Sequence, residues 1–68
     1  MTIVVNGDAR ELAPGTTVRE LLDALDVGDG ASGVAIAVDA EVVPRGEWET
    51  TELDEGARVE ILRAIQGG

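Results

Sequence analysis

A chain of 68 residues makes one domain near the lower size limit for folding without a metal or a disulfide, burying roughly 60% of the surface its unfolded form exposes. Cysteine and histidine are both absent, which removes thiolate nucleophiles, sulfur-ligated clusters, the commonest general base and the usual zinc ligands, and so argues against an autonomous catalyst or a metal site. Fourteen acidic residues against five arginines and no lysine give a net charge of −9, the wrong balance for nucleic acid and the right one for a basic protein groove, for solubility and for a monomer kept apart by self-repulsion.

Thr2-Ile3-Val4-Val5-Asn6 is short and β-branched, and Asn6-Gly7-Asp8 follows with the residues a tight hairpin turn requires. Ala9 to Ala13 alternates weakly, with Leu12 its one large apolar side chain, and reads as an edge strand ended by Pro14-Gly15. Thr17-Val18-Arg19-Glu20 is a capping box, so a helix starts there. Val18, Leu21, Leu22 and Leu25 recur at i, i+3, i+4 and i+7 as its core stripe, while Arg19, Glu20, Asp23 and Asp26 face water. Gly28 to Gly33 reads as a flexible loop; an acid in its middle, after a helix and before a strand, argues against a phosphate cradle.

Val34, Ile36 and Val38 alternate with Ala35 and Ala37, which predicts a strand with its branched face under the helix and its alanine face open to solvent or a partner. Asp39-Ala40-Glu41 turns the chain into a short strand at Val42-Val43 that Pro44 stops. Gly46 to Glu49 reads as an irregular turn carrying Trp48, the only aromatic residue, as a lid over one end of the core. Thr50 to Leu53 extends briefly and Asp54-Glu55-Gly56 turns. Arg58 to Arg63 is the last strand, alternating until Leu62 falls on the face of Arg58 and Glu60, where it can join Ala35 and Ala37 in a docking patch.

The order β-β-α-β-β-β predicts an α+β domain, a mixed sheet of four to five strands wrapped around one main helix, with the first and last strands paired centrally. Its expected core is Ile3, Val5, Leu12, Val18, Leu21, Leu25, Val34, Ile36, Val38, Val59 and Ile61. Residues 1–63 form this domain and residues 64–68, Ala-Ile-Gln-Gly-Gly, a tail. Two glycines can serve neither a core nor a regular element, but they pass through a channel too narrow for any Cβ and present an unhindered α-carboxylate. No apolar run approaches a membrane span and no signal-peptide pattern opens the chain, so a soluble cytoplasmic protein is expected.

Taken together, Ile3-Val4-Val5-Asn6-Gly7, Pro14-Gly15-Thr16-Thr17-Val18 running into Glu20-Leu21-Leu22, Val38 to Val43 leading into Pro44-Arg45 with Trp48 close behind, Asp54-Glu55-Gly56, and Gly67-Gly68 resemble the ubiquitin-like β-grasp sulfur carriers, most closely the ThiS family of thiamin biosynthesis. The resemblance implies a protein cosubstrate and no enzyme. It implies that an E1-like adenylating enzyme, using ATP and magnesium, activates the Gly68 carboxylate beside Gly67. Sulfur from a cysteine-desulfurase persulfide or another donor then makes a thiocarboxylate, which thiazole synthase uses. Leu62, Ala35, Ala37, Ile65 and Gln66 are the expected docking residues. Carriage to another acceptor, in molybdopterin or cysteine synthesis, or service as a protein modifier would share the tail and the fold.

Overall fold

A computed structural model describes residues 1–25 and 33–63. Asn6 and Gly7 take φ values of 48° and 87°, the left-handed pair that a two-residue hairpin needs, and they join β1 (Thr2–Val5) to β2 (Asp8–Glu11) in antiparallel register. Thr17 then caps helix α1 (Val18–Ala24): its hydroxyl accepts from the Glu20 amide at 3.2 Å, and the Glu20 carboxylate accepts from the Thr17 amide at 3.0 Å. The first two helical amides find partners further along the chain, Val18 N–H donating to the Thr51 carbonyl and Arg19 N–H to the Trp48 carbonyl, both at 2.9 Å. Every otherwise orphaned donor of the first turn is thereby satisfied, which is how a helix of seven residues holds.

Strands β3 (Val34–Val38) and β4 (Glu41–Val42) are joined by Asp39 and Ala40 at φ values of 50° and 70°, and β5 (Arg58–Arg63) is the last strand among the described residues. The sheet order is β2-β1-β5-β3-β4, with β5 parallel to β1 and antiparallel to β3. This is the mixed five-stranded sheet on one helix expected of a β-grasp domain, with first and last strands paired at its centre and β2 at an edge.

Sequence alternation locates the core correctly at Ile3, Val5, Val18, Leu21, Ile36, Val59 and Ile61, all buried in one cluster of helix and sheet residues. Leu12, Leu25, Val34 and Val38, also expected there, are only half-buried at its margin: Leu12 and Leu25 lie just beyond the ends of β2 and α1, and Val34 and Val38 are the two ends of β3. Leu22, Trp48, Leu53 and Ala57 complete the buried set. The segment expected as an irregular turn around Gly46 to Glu49 is instead a single turn of 3-10 helix, Arg45–Glu47, that delivers Trp48 inward. Trp48 is 2% exposed, its indole N–H donates to the Val43 carbonyl at 3.0 Å, and the Arg45 guanidinium lies 5.7 Å from its ring centre. It closes one end of the core as expected. Leu53 is drawn in by its own amide, which donates to the Thr16 carbonyl at 2.8 Å, beside a lone bridge between Thr17 and Glu52. The connection from Trp48 to Leu53 thus caps the helix and fills the core together.

Candidate functional site

Because Val59 and Ile61 point into the core, Arg58, Glu60 and Leu62 point the other way. The same alternation in β3 sends Ile36 inward and Ala35 and Ala37 outward. Register then decides what meets on the outer face: Ala35 lies opposite Leu62, Ala37 opposite Glu60 on one side and opposite Val42 on the other. Directly opposed side chains in a ladder stand about 4.5–5.5 Å apart at Cβ, so these are contacts of one surface. The expected trio of Leu62, Ala35 and Ala37 is therefore brought together, with Ala35 exposed and Ala37 half-buried.

Val42 belongs to the same surface and was not anticipated. At 73% exposure, it is with Leu62 at 69% one of the two large apolar side chains left in water among the described residues. The signal was present in the Asp39-Ala40 turn, since a two-residue turn after Val38 places Val42 across from Ala37 and turns Val43 inward. Small alanines flanked by two large aliphatic residues make a shallow apolar seat, with Glu60 beside it. No helix among the described residues is long and apolar enough to cross a membrane.

The end of β5 is the second part of the site. Arg63 pairs with Val34 on the β3 side and is the last described residue, so the sequence-predicted Ile65, Gln66, Gly67 and Gly68 lie outside the described residues. Fully extended, the five residues after Arg63 reach about 17 Å, at about 3.3–3.6 Å each. That reach is the furthest the Gly68 carboxylate can lie from the end of β5. On its β1 side, the strand's last rung is made by a side chain: Asn6 Oδ1 accepts from Ile61 N–H at 2.9 Å, and Asn6 Nδ2 donates to the Ile61 carbonyl at 3.2 Å.

A family model described as "ThiS family" matches residues 3–68. The chain is 35% identical over 68 residues to the sulfur carrier protein ThiS of Escherichia coli (strain K12), covering all of both proteins. It is also 32% identical over 68 residues to a protein named thiazole synthase from Paramagnetospirillum magneticum, of which it spans 20% of the length. Among solved structures, it resembles the crystal structure of the thiamine biosynthesis protein ThiS from Geobacter metallireducens, with a TM-score of 0.83 and 34% identity over the whole of both chains. The solution structure of a thiamine biosynthesis protein from the same organism matches with a TM-score of 0.80 and 34% identity, covering all of this chain and 88% of that one.

Proposed function

The chain belongs to the ThiS family, and on that premise we propose that it is a cytoplasmic sulfur carrier for thiazole formation in thiamin biosynthesis. Its reacting atom is the carboxyl carbon of Gly68. A carboxylate is a poor electrophile until its oxygen becomes part of a good leaving group, and the chain holds no cysteine, histidine or lysine with which to activate it. Activation therefore belongs to a partner, an E1-like enzyme that uses ATP and magnesium to make the Gly68 acyl adenylate and release pyrophosphate. The terminal sulfur of a cysteine-desulfurase persulfide, or of another donor, attacks the carboxyl carbon and expels AMP. A thiol then cleaves the resulting S–S bond, leaving the thiocarboxylate on Gly68 and a disulfide on the donor side. Thiazole synthase consumes that sulfur.

The observation that carries this reading is the extent of the family match, which runs to residue 68 and so takes in Gly67-Gly68 as well as the folded domain. A chain-long likeness to part of a protein named thiazole synthase supports that enzyme as the acceptor's owner, over molybdopterin or cysteine synthesis. The apolar seat of Leu62, Ala35, Ala37 and Val42 supports docking by the sheet's outer face, beside the point where the tail leaves.

Intact-mass spectrometry of the protein from its native host tests the chemistry. Replacement of one terminal oxygen by sulfur is expected; ladders of adducts on other proteins would establish a modifier instead. Deleting Gly68 should abolish growth without added thiamin, and unimpaired growth would refute the assignment. If the charge of −9 steers docking, the association rate with the adenylating enzyme falls as salt rises.

A further inference from the structure

We propose that Asn6 is a positioning residue for the carrier's terminal chemistry: its side-chain amide replaces a missing strand residue and fixes the point from which the tail departs. The proposal rests on the sulfur-carrier reading and adds a residue to it. β1 ends at Val5, whereas β5 continues to Arg63. The ladder between them is made by Val4 N–H donating to the Ala57 carbonyl and Asn6 N–H donating to the Val59 carbonyl, both at 2.9 Å. The next rung on that side belongs to Ile61, and β1 has no strand residue left to supply it. Asn6 supplies both halves, an acceptor for the Ile61 amide and a donor for the Ile61 carbonyl.

This demand is separate from that of the turn. At φ 48° the turn needs a residue that tolerates the left-handed region, and glycine meets that need better than asparagine. The carboxamide of Asn6, on its one-carbon stem, holds Ile61 with two separate atoms at once, Oδ1 accepting and Nδ2 donating, whereas glycine has no side chain and aspartate lacks the donor. The residue held in this way sits directly before Leu62, the most exposed part of β5's apolar seat, and two residues before the last described one. Holding Ile61 therefore sets the orientation of Leu62 and of the strand end after which residues 64–68 follow in sequence. Without the clamp, Ile61, Leu62 and Arg63 are held by β3 alone. The strand end that carries Leu62 then loses one of its two neighbours, and docking must order it before the carrier is engaged.

The test compares the full chain with its Asn6→Gly and Asn6→Asp variants, each as substrate in pyrophosphate exchange by the E1-like enzyme of the same organism. Amide exchange is followed at Ile61. Asn6→Gly keeps the turn and deletes the clamp. Its Ile61 amide should exchange about tenfold faster or more, and its KM as carrier should rise about tenfold with kcat within about twofold, because the loss lies in ordering and the reacting carboxylate is untouched. Asn6→Asp, which keeps the acceptor, should fall between the two and serves if the glycine variant does not fold. If Asn6 were only a turn residue, Asn6→Gly would leave Ile61 exchange and KM at wild-type values. An unchanged KM overturns the proposal even where exchange accelerates. Absence of pyrophosphate exchange with the unaltered chain overturns the carrier reading instead, and the two failures are distinct because the second affects wild type and variants alike.

Discussion

Both faces of the sheet carry aliphatic side chains, and these meet opposite surroundings. On the helix side, Ile3, Val5, Ile36, Val59 and Ile61 meet Val18, Leu21 and Leu22 and are buried. On the outer side, Ala35 and Ala37 leave a low floor, and Val42 and Leu62 stand at 73% and 69% exposure. Arg58 and Glu60 share the outer face with Leu62, but among the aliphatic residues it is position in the alternation that decides which are buried. What the difference teaches is that a chain near the minimum size for a domain commits one face to its own stability and leaves apolar side chains exposed on the other, the face proposed above to receive a partner.

That division predicts unequal responses to single substitutions, and the inner face should give the largest. Leu21 is 1% exposed in the middle of α1 against the sheet. Leu21→Ala should cost about 2–5 kcal/mol through lost transfer energy and the cavity left behind, read as a fall in the urea midpoint with an unchanged slope. In so small a domain, that is much or all of the stability. A loss well below 1 kcal/mol would mean that the helix side is not the face that holds the fold.

A smaller effect is expected at the helix start. Thr17→Ala removes the acceptor for Glu20 N–H and half of the capping box, so it should cost about 1 kcal/mol. The loss stays moderate because Val18 and Arg19 keep their amide partners, the carbonyls of Thr51 and Trp48. Retention of the wild-type midpoint would show that those two bonds alone hold the helix terminus. This network also marks where sequence reading stops. Capping box, hairpin turn and strand alternation are local patterns, and Thr17, Asn6-Gly7 and the outward placement of Leu62 were legible for that reason. Burial of Leu53 and Ala57, the 3-10 turn before Trp48 and the amide partners of α1 depend on where a segment some thirty residues away comes to lie, as in the bridge of Thr17 to Glu52. The docking surface was legible in part. Ala35 and Ala37 are visible as the small phase of an alternation and Leu62 as the break in one, whereas Val42 joins them only through the register of β3 with β4. Asn6 was legible as a turn residue but not as a clamp, because its partner Ile61 is 55 residues away.

The smallest effect on stability, and the one that sharpens the comparison most, is expected at Leu62. Its side chain is mostly in water and lies over Ala35, so Leu62→Asp should change stability by less than about 1 kcal/mol, a change confined to strand propensity and one lost cross-strand contact. Docking to the adenylating enzyme should weaken about tenfold or more, chiefly through faster dissociation, because an apolar anchor is lost from the seat formed with Ala35, Ala37 and Val42. The choice of aspartate separates two causes. If net charge governed the encounter, a further carboxylate on a chain of −9 would favour a basic groove and the association rate would hold or rise. A faster association with unchanged dissociation would point to steering, and unchanged affinity would remove Leu62 from the interface. Faster dissociation at a preserved unfolding midpoint is what an outer face reserved for a partner requires, since the inner face carries the fold without it.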